Sequence, residues 1–226
     1  MVTVEKVRIT SEFDMDDDME KLIDVYETVM SERLDKVVGY VDVDLEGKRK
    51  ELRSKECKIG NWIADIIQTE YDNVDISLIN SGTIRGNFRN DQGEITARMI
   101  GNLFPMTDNL VILKLPGWLI MSMLENSVSQ LPKLDGRFAH FSGVKFWFDI
   151  EKPVGSRVFN VRDANDNPFD FDRDYNIVTK SYIGSGRDGY ECFKYPAVEV
   201  VKDEEYTDFI ENIILEQLRS FDTSSP

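Results

Sequence analysis

Apolar and polar residues follow two different periods along this chain, and the two periods predict a mixture of helices and strands. Apolar residues recur at helical spacing in the segments 14–38, 60–71, 96–102, 116–131 and 206–221. Continuous apolar runs or strict alternation, both typical of strands, occur at 3–10, 37–45, 74–79, 110–114, 144–150, 157–161, 175–179 and 198–201. Because strands and helices mix along the whole chain, the expected fold class is α+β, or mixed α/β.

Polar and imino residues mark where three of the predicted helices begin. Asp14 is placed to cap the first helix, and Asp16, Asp17 and Asp18 fill its first turn, where carboxylates favour the positive end of the helix dipole. Thr96 is placed to cap the short helix at 96–102, and Pro116 suits the first turn of the helix that follows it.

Composition and charge exclude several functional classes. The 226 residues carry a formal net charge of −15, which disfavours nonspecific nucleic-acid binding. No apolar stretch is long enough to span a membrane. The first residues lack the apolar core of a signal peptide, so the cytoplasm is the favoured compartment, while that of a longer parent protein stays open.

Cysteine and histidine are scarce, and this limits the chemistry that the chain can support. Cys57 and Cys192 are too few for a disulfide framework, and two free thiols are expected. His140, the only histidine, is expected at a strand or loop edge, because one histidine cannot supply a two-metal hydrolytic site. We therefore expect neither a catalytic residue nor a metal site on this chain.

Two turn segments, 80–86 and 186–190, carry the candidate binding chemistry. Asn80 directly follows a buried strand, at the carboxyl end where ligands bind in open α/β sheets, and Arg85 provides a cationic fork for phosphate or carboxylate. The downstream segment adds Asp188, preceded by the aromatic face of Tyr182. Together these groups suit a flat anionic ligand such as a nucleotide. The alternatives are a turn-forming role for Asn80 and a surface ion pair for Arg85.

These turns and their surroundings resemble the C-terminal domain of the 5'-nucleotidase family of metallophosphoesterases. The resemblance extends from about residue 39 to about residue 201. The matching motifs include Arg53, the segments 57–61, 80–86, 93–96, 103–106, 124–128, 136–138, 142–143 and 153–157, and the segment 186–190.

The resemblance implies an architecture and a division of labour. The family fold is layered as helix, sheet, sheet and helix. Residues 1–38 would be a residual strand and an inter-domain linker helix, and residues 39–226 the C-terminal substrate-binding domain. A separate N-terminal metallophosphatase domain would hold two divalent metal ions and hydrolyse the phosphate. This chain alone is then expected to be inactive, and a homodimer is left open.

The resemblance also implies roles for the base-binding and sugar-binding residues. Asn80 would hydrogen-bond the base edge, and Tyr182 would stack on the base. Met106 stands at the position of a second stacking ring, which it does not supply. Asp188 would contact the ribose hydroxyls or hold its loop.

Four arginines complete the implied binding set. Arg53, with Arg49 four residues earlier, would contact the phosphate or sugar, and so would Arg85. Arg187 replaces a glycine that is more usual in the family, and its cation could read a second anionic group, neutralise Asp188 or point to solvent.

The implied function is substrate recognition in a two-metal phosphate-monoester hydrolase. Two alternatives remain at this point. One is a non-catalytic module that works alone as a small-molecule binder or scaffold. The other is the same domain of a sugar-phosphate or cyclic-nucleotide phosphoesterase.

Overall fold

A computed structural model describes residues 2–85, 88–90, 92–107, 109–203, 205 and 207–222. Gly86, which closes the first predicted binding turn, and Tyr206, the predicted start of the last helix, lie outside these residues. The chain divides into two compact units, Met1–Lys36 and Val37–Pro226. The assignment of residues 1–38 and 39–226 to parts of a two-domain enzyme stays a prediction.

The first unit contains one helix, α1 (Asp17–Leu34), among its described residues. Its cap is Asp16 rather than the predicted Asp14, and the Asp16 carboxylate accepts from the backbone N–H groups of Asp18 and Met19, both at 3.1 Å. The strand predicted at residues 3–10 is not formed. That prediction was wrong because alternation alone does not make a strand, which also needs a neighbour for its backbone hydrogen bonds.

The second unit mixes helices and strands throughout, which confirms the predicted fold class. Its strands are β1 (Val37–Val41), β2 (Leu45–Gly47), β3 (Ile76–Asn80), β4 (Phe88–Asn90), β5 (Gly93–Thr96), β6 (Leu110–Pro116), β7 (Ala139–Ser142), β8 (Val144–Phe148), β9 (Val158–Asp163), β10 (Asp174–Lys180) and β11 (Glu199–Lys202). Its helices are α2 (Arg49–Leu52), α3 (Lys58–Glu70), α4 (Ala97–Leu103), α5 (Gly117–Val128), α6 (Ser181–Gly184) and α7 (Ile210–Asp222).

A five-stranded sheet in the order β11-β6-β10-β3-β7 forms the centre of the second unit. β10 and β3 are parallel, whereas the other neighbours are antiparallel. Three further two-stranded sheets pair β1 with β5, β2 with β4, and β8 with β9. The parallel pair matters for function, because it brings the carboxyl ends of two central strands to the same edge of the sheet.

Helices cover both faces of the central sheet, and each face has its own apolar core. Ile79, Ile112 and Val178 point to one face, where they pack with helices α3, α4 and α7. Leu78 and Leu113 point to the other face and pack with α5. This alternation within single strands is what two buried sheet faces require.

Several predicted bounds need correction. The strand predicted at 37–45 is two separate strands, β1 and β2, which pair with different partners. The helical turn α2, which begins at Arg49, was not predicted. By contrast, Thr96 caps α4 as predicted, its hydroxyl accepting from the Met99 N–H at 3.3 Å. Both cysteines are free, as expected.

His140 lies on β7, an edge strand of the central sheet, yet only 2% of it is exposed. Its Nε2 is 3.1 Å from the carbonyl oxygen of Leu52, so Nε2 carries the hydrogen and donates it. Cys57 Sγ is 4.0 Å from the same nitrogen. Burial lowers the pKa of His140 to about 4, and it also raises the pKa of the Cys57 thiol. The pair is therefore neutral at pH 7, unlike the activated thiolate and imidazolium of a cysteine hydrolase.

The buried imidazole predicts a specific loss of stability in mild acid. The unfolded chain, with an ordinary histidine pKa of 6.5, binds a proton more readily than the folded chain, whose His140 has a pKa of about 4. Its contribution to stability is full above the unfolded pKa and falls as the pH drops toward the folded one. We expect a loss of about 2 kcal/mol between pH 7 and pH 5, at about 1.4 kcal/mol per pKa unit.

Urea titrations of the wild type and of His140→Gln across this pH range measure the effect. The many carboxylates titrate in both proteins, so the difference between the two pH profiles isolates the histidine. Parallel profiles would contradict the assignment of this loss to His140.

Candidate functional site

The candidate site lies where the parallel strands β3 and β10 end. Asn80 is the last residue of β3, and Lys180 is the last residue of β10. Asn80 is only 3% exposed, and its Oδ1 accepts from the Thr83 hydroxyl at 2.6 Å. The Thr83 N–H donates to the Asn80 carbonyl at 3.0 Å, which closes the turn that follows the strand. The side-chain amide is thereby held in one orientation.

The turn after β3 packs against a second turn with almost no space between them. The Ser81 N–H donates to the Phe138 carbonyl at 2.7 Å, and the Gly82 N–H donates to the Gly136 carbonyl at 2.9 Å. A Cβ on Gly136 would lie 3.2 Å from the Cα of Gly82. Both glycines are therefore needed for the close approach of the two backbones.

Asp188 reaches the same place from the loop after β10. Three residues shape this loop: Gly186, Asp188 and Gly189 all have positive φ, at 82°, 51° and 79°. Aspartate tolerates the left-handed conformation better than most side chains, and glycine adopts it freely. The loop therefore bends back toward β3 and brings the Asp188 carboxylate beside Asn80.

Both oxygens of the Asp188 carboxylate are held by the predicted site residues. Oδ2 accepts from Asn80 Nδ2 at 2.9 Å, and Oδ1 accepts from the Tyr182 hydroxyl at 3.0 Å. A carboxylate has about four lone-pair sites, so each oxygen keeps capacity for a further donor. Tyr182, on α6, is 43% exposed beside this carboxylate, and Lys180 Nζ lies 5.7 Å from the centroid of its ring.

Asn126 and Arg137 support the Asp188 loop, and sequence reasoning missed both as site residues. Asn126 Nδ2 donates to the backbone carbonyl of Asp188 at 3.1 Å. Arg137 Nη1 donates to Asn126 Oδ1 at 3.4 Å, and the Tyr190 hydroxyl donates to the Arg137 carbonyl at 2.7 Å. Asn126 and Arg137 lie within motifs that carry the family resemblance, which was the only available signal for them.

Three arginines share one electrostatic neighbourhood with Asp188. Burial lowers the pKa of Arg53, the positive charges of Arg49 and Arg85 lower it further, and the carboxylates of Asp135 and Asp188 oppose this. Arg53 stays protonated near neutral pH, because a guanidinium is always charged in proteins. The structure thus brings together positive charge from α2 and from the turn after β3.

The three arginines differ in how they are placed. Arg53 is half-buried and caps the carboxyl end of α2, where its N–H donates to the Arg49 carbonyl at 3.2 Å. Arg49 and Arg85 are exposed. The backbone N–H of Arg85 donates to the Leu103 carbonyl at 2.9 Å, which fixes the point where its side chain starts.

The two remaining predicted residues have exposed side chains. Met106 is 56% exposed and borders a hollow of about 270 Å³ with Phe104 and Phe209. Phe104 itself is buried in the core. The described contacts do not join Met106 to Tyr182. Arg187, also exposed, directly precedes Asp188.

These groups form a surface with separate chemical parts. The partly exposed Tyr182 ring offers stacking for a flat group. The free lone pairs of Asp188 can accept from hydroxyl groups, and the guanidinium groups can bind a phosphate bidentately. This combination suits a ligand that contains a ring, hydroxyl groups and an anion.

Comparison with known proteins decides the family. The family model described as "5'-nucleotidase, C-terminal domain" matches residues 37–195, which is most of the chain and includes every residue of the candidate site. The chain belongs to this family. The sequence-based resemblance to this family is thereby confirmed.

Named relatives agree with this assignment. The domain is 30% identical over 178 residues to the trifunctional nucleotide phosphoesterase protein YfkN of Bacillus subtilis, covering 76% of this chain and 12% of YfkN. It is 30% identical over 181 residues to Protein 5NUC of Lutzomyia longipalpis, covering 70% of this chain and 32% of that protein. The chain therefore spans less than a third of the length of either relative.

A solved structure confirms the fold. The 5'-nucleotidase precursor from Thermus thermophilus superposes with a TM-score of 0.80 at 30% sequence identity. The match covers 90% of this chain and 40% of that structure. The mixed helix and strand fold expected from the resemblance is thereby confirmed.

Two further properties of the described residues bear on what this domain can do. None of the described helices combines the length and the apolar character needed to cross a membrane. Within the same residues, no three His, Cys, Asp or Glu side chains are grouped in a way that could hold a metal ion.

Proposed function

We propose that this domain recognises the nucleoside or sugar part of a phosphate monoester, while a separate N-terminal domain hydrolyses the phosphate. The observation that carries the proposal is the Asp188 carboxylate, whose two oxygens are fixed by Asn80 and Tyr182. A carboxylate fixed in this way, beside an exposed ring and a group of guanidinium ions, presents separate contacts for a sugar, a base and a phosphate.

Each residue has a distinct task in this proposal. The exposed part of the Tyr182 ring stacks on the base, and Asp188 accepts from the sugar hydroxyls. Arg53 and Arg85 face the phosphate or the sugar, with Arg49 as a further cation at the entrance. Because these contacts orient the ester before reaction, they lower the barrier even though they do not touch the reacting phosphorus.

Asn80 has a double task. One hydrogen of its Nδ2 group is donated to Asp188, and its Oδ1 is occupied by Thr83. An amide nitrogen has two hydrogens, so one remains for the edge of the base. Asn80 therefore orients Asp188 and can still contact the base.

The hydrolytic metal ions belong outside this chain in the proposal. The described residues do not fit a two-metal site, because their possible ligands are not grouped. When bound in the N-terminal domain, two divalent ions would activate water and polarise the phosphoryl group. The contribution of this chain is binding and orientation.

A second substrate class is favoured by one observation. Phe104 is buried in the core and Met106 is exposed, so the described structure offers one stacking ring, Tyr182, rather than two. A single ring weakens the case for a base and leaves a sugar phosphate as an alternative substrate. The exposed Arg187 beside Asp188 could bind a second anionic group of such an ester.

Titration calorimetry with adenosine monophosphate, adenosine and ribose 5-phosphate tests both classes. We expect Arg53→Ala to weaken nucleotide binding by about tenfold to a hundredfold, because a hydrogen bond to a charged group is worth about 1.5–3 kcal/mol. Adenosine, which lacks the phosphate, should bind Arg53→Ala as well as it binds the wild type.

Variants at Tyr182 separate stacking from support of Asp188. Tyr182→Phe keeps the ring and loses the hydroxyl, whereas Tyr182→Ala loses both. If the base stacks on this ring, Tyr182→Ala should bind the nucleotide about 1–3 kcal/mol more weakly than Tyr182→Phe does. Arg33→Ala, on the surface of α1, is the control for the positive charge that Arg53→Ala removes.

The outcomes separate the proposals. Tight binding of ribose 5-phosphate alone would replace the nucleotide with a sugar-phosphate ester. Absence of binding for all three ligands would contradict substrate recognition by this domain and would support the scaffold alternative.

A further inference from the structure

A buried lysine lies at the edge of the sheet where the candidate site is formed. Lys180 is the last residue of β10, and Tyr182 and Asp188 follow it in the chain. Only 4% of Lys180 is exposed. Lysine is almost never buried to this degree unless nearby groups stabilise its charge. Its place beside the site therefore calls for an explanation.

The ammonium group of Lys180 lies over the ring of Tyr182. Its Nζ is 5.7 Å from the ring centroid, which is within the range of a cation–π interaction. The face of an aromatic ring carries partial negative charge, so it stabilises a cation held above it. Tyr182 is thus held at two points, because its hydroxyl also donates to Asp188 at 3.0 Å.

The position of Lys180 decides which face of Tyr182 a ligand can reach. A base stacked between the ring and the ammonium group would need about 7 Å, since it would make two van der Waals contacts of about 3.5 Å each. The distance present is only 5.7 Å. Because Lys180 is buried, it also shields this face from solvent. A base must therefore stack on the opposite face of the ring.

A base on the opposite face would still experience the charge of Lys180. It would lie one stacking contact of about 3.5 Å beyond the ring, and so about 9 Å from Nζ. At an effective dielectric constant of about 20, two unit positive charges at this distance repel each other enough to weaken binding about tenfold. A base without a net charge experiences no such repulsion.

We propose that Lys180 is a specificity-determining residue of the candidate site, which favours nucleotides with an uncharged base over nucleotides whose base carries a positive charge. This inference rests on the proposed function, since it requires a base that stacks on Tyr182. Lys180 does not touch the ligand. It closes one face of the ring and sets the electrostatic potential at the other face.

Adenosine monophosphate and 1-methyladenosine monophosphate are matched probes for this proposal. They have the same sugar and phosphate, but the methylated adenine carries a positive charge at neutral pH. Calorimetry gives the ratio of the two affinities for the wild type and for Lys180→Met. Methionine is uncharged and unbranched, and its thioether also packs favourably against rings. We expect the ratio to shift about tenfold in favour of the methylated nucleotide in Lys180→Met.

Comparison of the two ratios removes the effects that do not depend on Lys180. The methyl group alters the edge of the base, and Asp188 attracts the positive charge, but both effects occur in the wild type and in the variant. Lys114→Met is the matched control. Lys114 lies opposite Asn176 on the neighbouring strand β6 and pairs with Asp174 at 3.0 Å. Its loss should leave the ratio unchanged.

The results separate this inference from the proposed function. Equal ratios in the wild type and Lys180→Met would overturn the inference, and so would an equal shift in Lys114→Met. The proposed function would stand in either case if Tyr182→Ala still weakened the binding of adenosine monophosphate. Absence of adenosine monophosphate binding by the wild type would overturn both. If Lys180→Met does not fold, Lys180→Gln, which is neutral and keeps a hydrogen-bond donor, gives the same comparison.

Discussion

Replacement of Asp188 by asparagine is expected to weaken the binding of a ribonucleotide by about a hundredfold. Each oxygen of the wild-type carboxylate already accepts one internal hydrogen bond, from Asn80 or from Tyr182. In the variant, an NH₂ group replaces one oxygen and faces a donor instead of accepting from it. The charge that strengthens the bonds to the sugar hydroxyls is also lost, and such bonds contribute about 1.5–3 kcal/mol each.

Asparagine is the appropriate substitution because the backbone at Asp188 has a φ of 51°. Asparagine tolerates this left-handed conformation, whereas alanine would add backbone strain to the loss of the carboxylate. The loop should therefore stay in place, also because Asn126 holds the backbone carbonyl of residue 188 and not its side chain.

Calorimetry with a ribonucleotide and the matching 2'-deoxyribonucleotide measures this effect. We expect the wild type to prefer the ribonucleotide and Asp188→Asn to bind both with similar weak affinity. Asp135→Asn is the matched control, because Asp135 also influences Arg53 but bonds to Arg137. Its effect on affinity should stay below about threefold, since it makes no contact with the sugar in our proposal. Equal losses in the two variants would show that charge near Arg53, not contact with hydroxyls, determines binding.

The parts of the fold that could be predicted are those whose burial requires a regular pattern of apolar residues along the chain. β3 is buried at each of its five residues, so its apolar run was recognisable without any knowledge of its neighbours. The helix α3 buries one face, and its apolar residues recur at helical spacing. Thr96 was recognisable as a cap because capping is a local interaction.

The short strands escaped prediction for the opposite reason. β2 and β4 have three residues each and exist only because they pair with one another across a long stretch of chain. Conversely, residues 3–10 alternate like a strand but have no pairing partner in the described structure. Pairing over distance is a property of the folded chain, which a local pattern cannot report.

The candidate site shows the same limit at the level of single residues. Asn80, Tyr182 and Asp188 were identified from two turns, and the structure brings them into direct contact. Asn126 was missed because it acts on a backbone carbonyl. A side chain that supports a distant loop leaves no periodicity or local motif by which it could be recognised.

Replacement of Gly143 by alanine is expected to lower the free energy of unfolding by about 4 kcal/mol or more. Gly143 joins the edge strand β7 to β8, with a φ of 85°, which costs an L-residue about 1–2 kcal/mol. A Cβ there would also lie 2.0 Å from the carbonyl oxygen of Asp75 and 2.7 Å from Gln68 Nε2. Backbone atoms cannot rotate away as a flexible side chain can, so the strands themselves would have to move.

The collision would also disturb a small hydrogen-bond network. Gln68 Nε2 donates to the Asp75 carbonyl at 2.7 Å, and the Ser142 hydroxyl donates to Gln68 Oε1 at 2.5 Å. These bonds tie α3 to the segment before β3 and to the end of β7. A methyl group at residue 143 would separate Gln68 from Asp75 and leave part-buried polar groups without partners.

Gly155→Ala separates the two causes. Gly155 has almost the same φ, 87°, but a Cβ there would meet nothing within 4 Å. Urea denaturation should therefore show a loss of only about 1–2 kcal/mol for Gly155→Ala, which measures backbone strain alone. The excess loss in Gly143→Ala measures the collision with Asp75. Equal losses of unfolding free energy in the two variants would mean that the junction between β7 and β8 accommodates a methyl group. The close approach of Gly143 to Asp75 would then not be needed for stability.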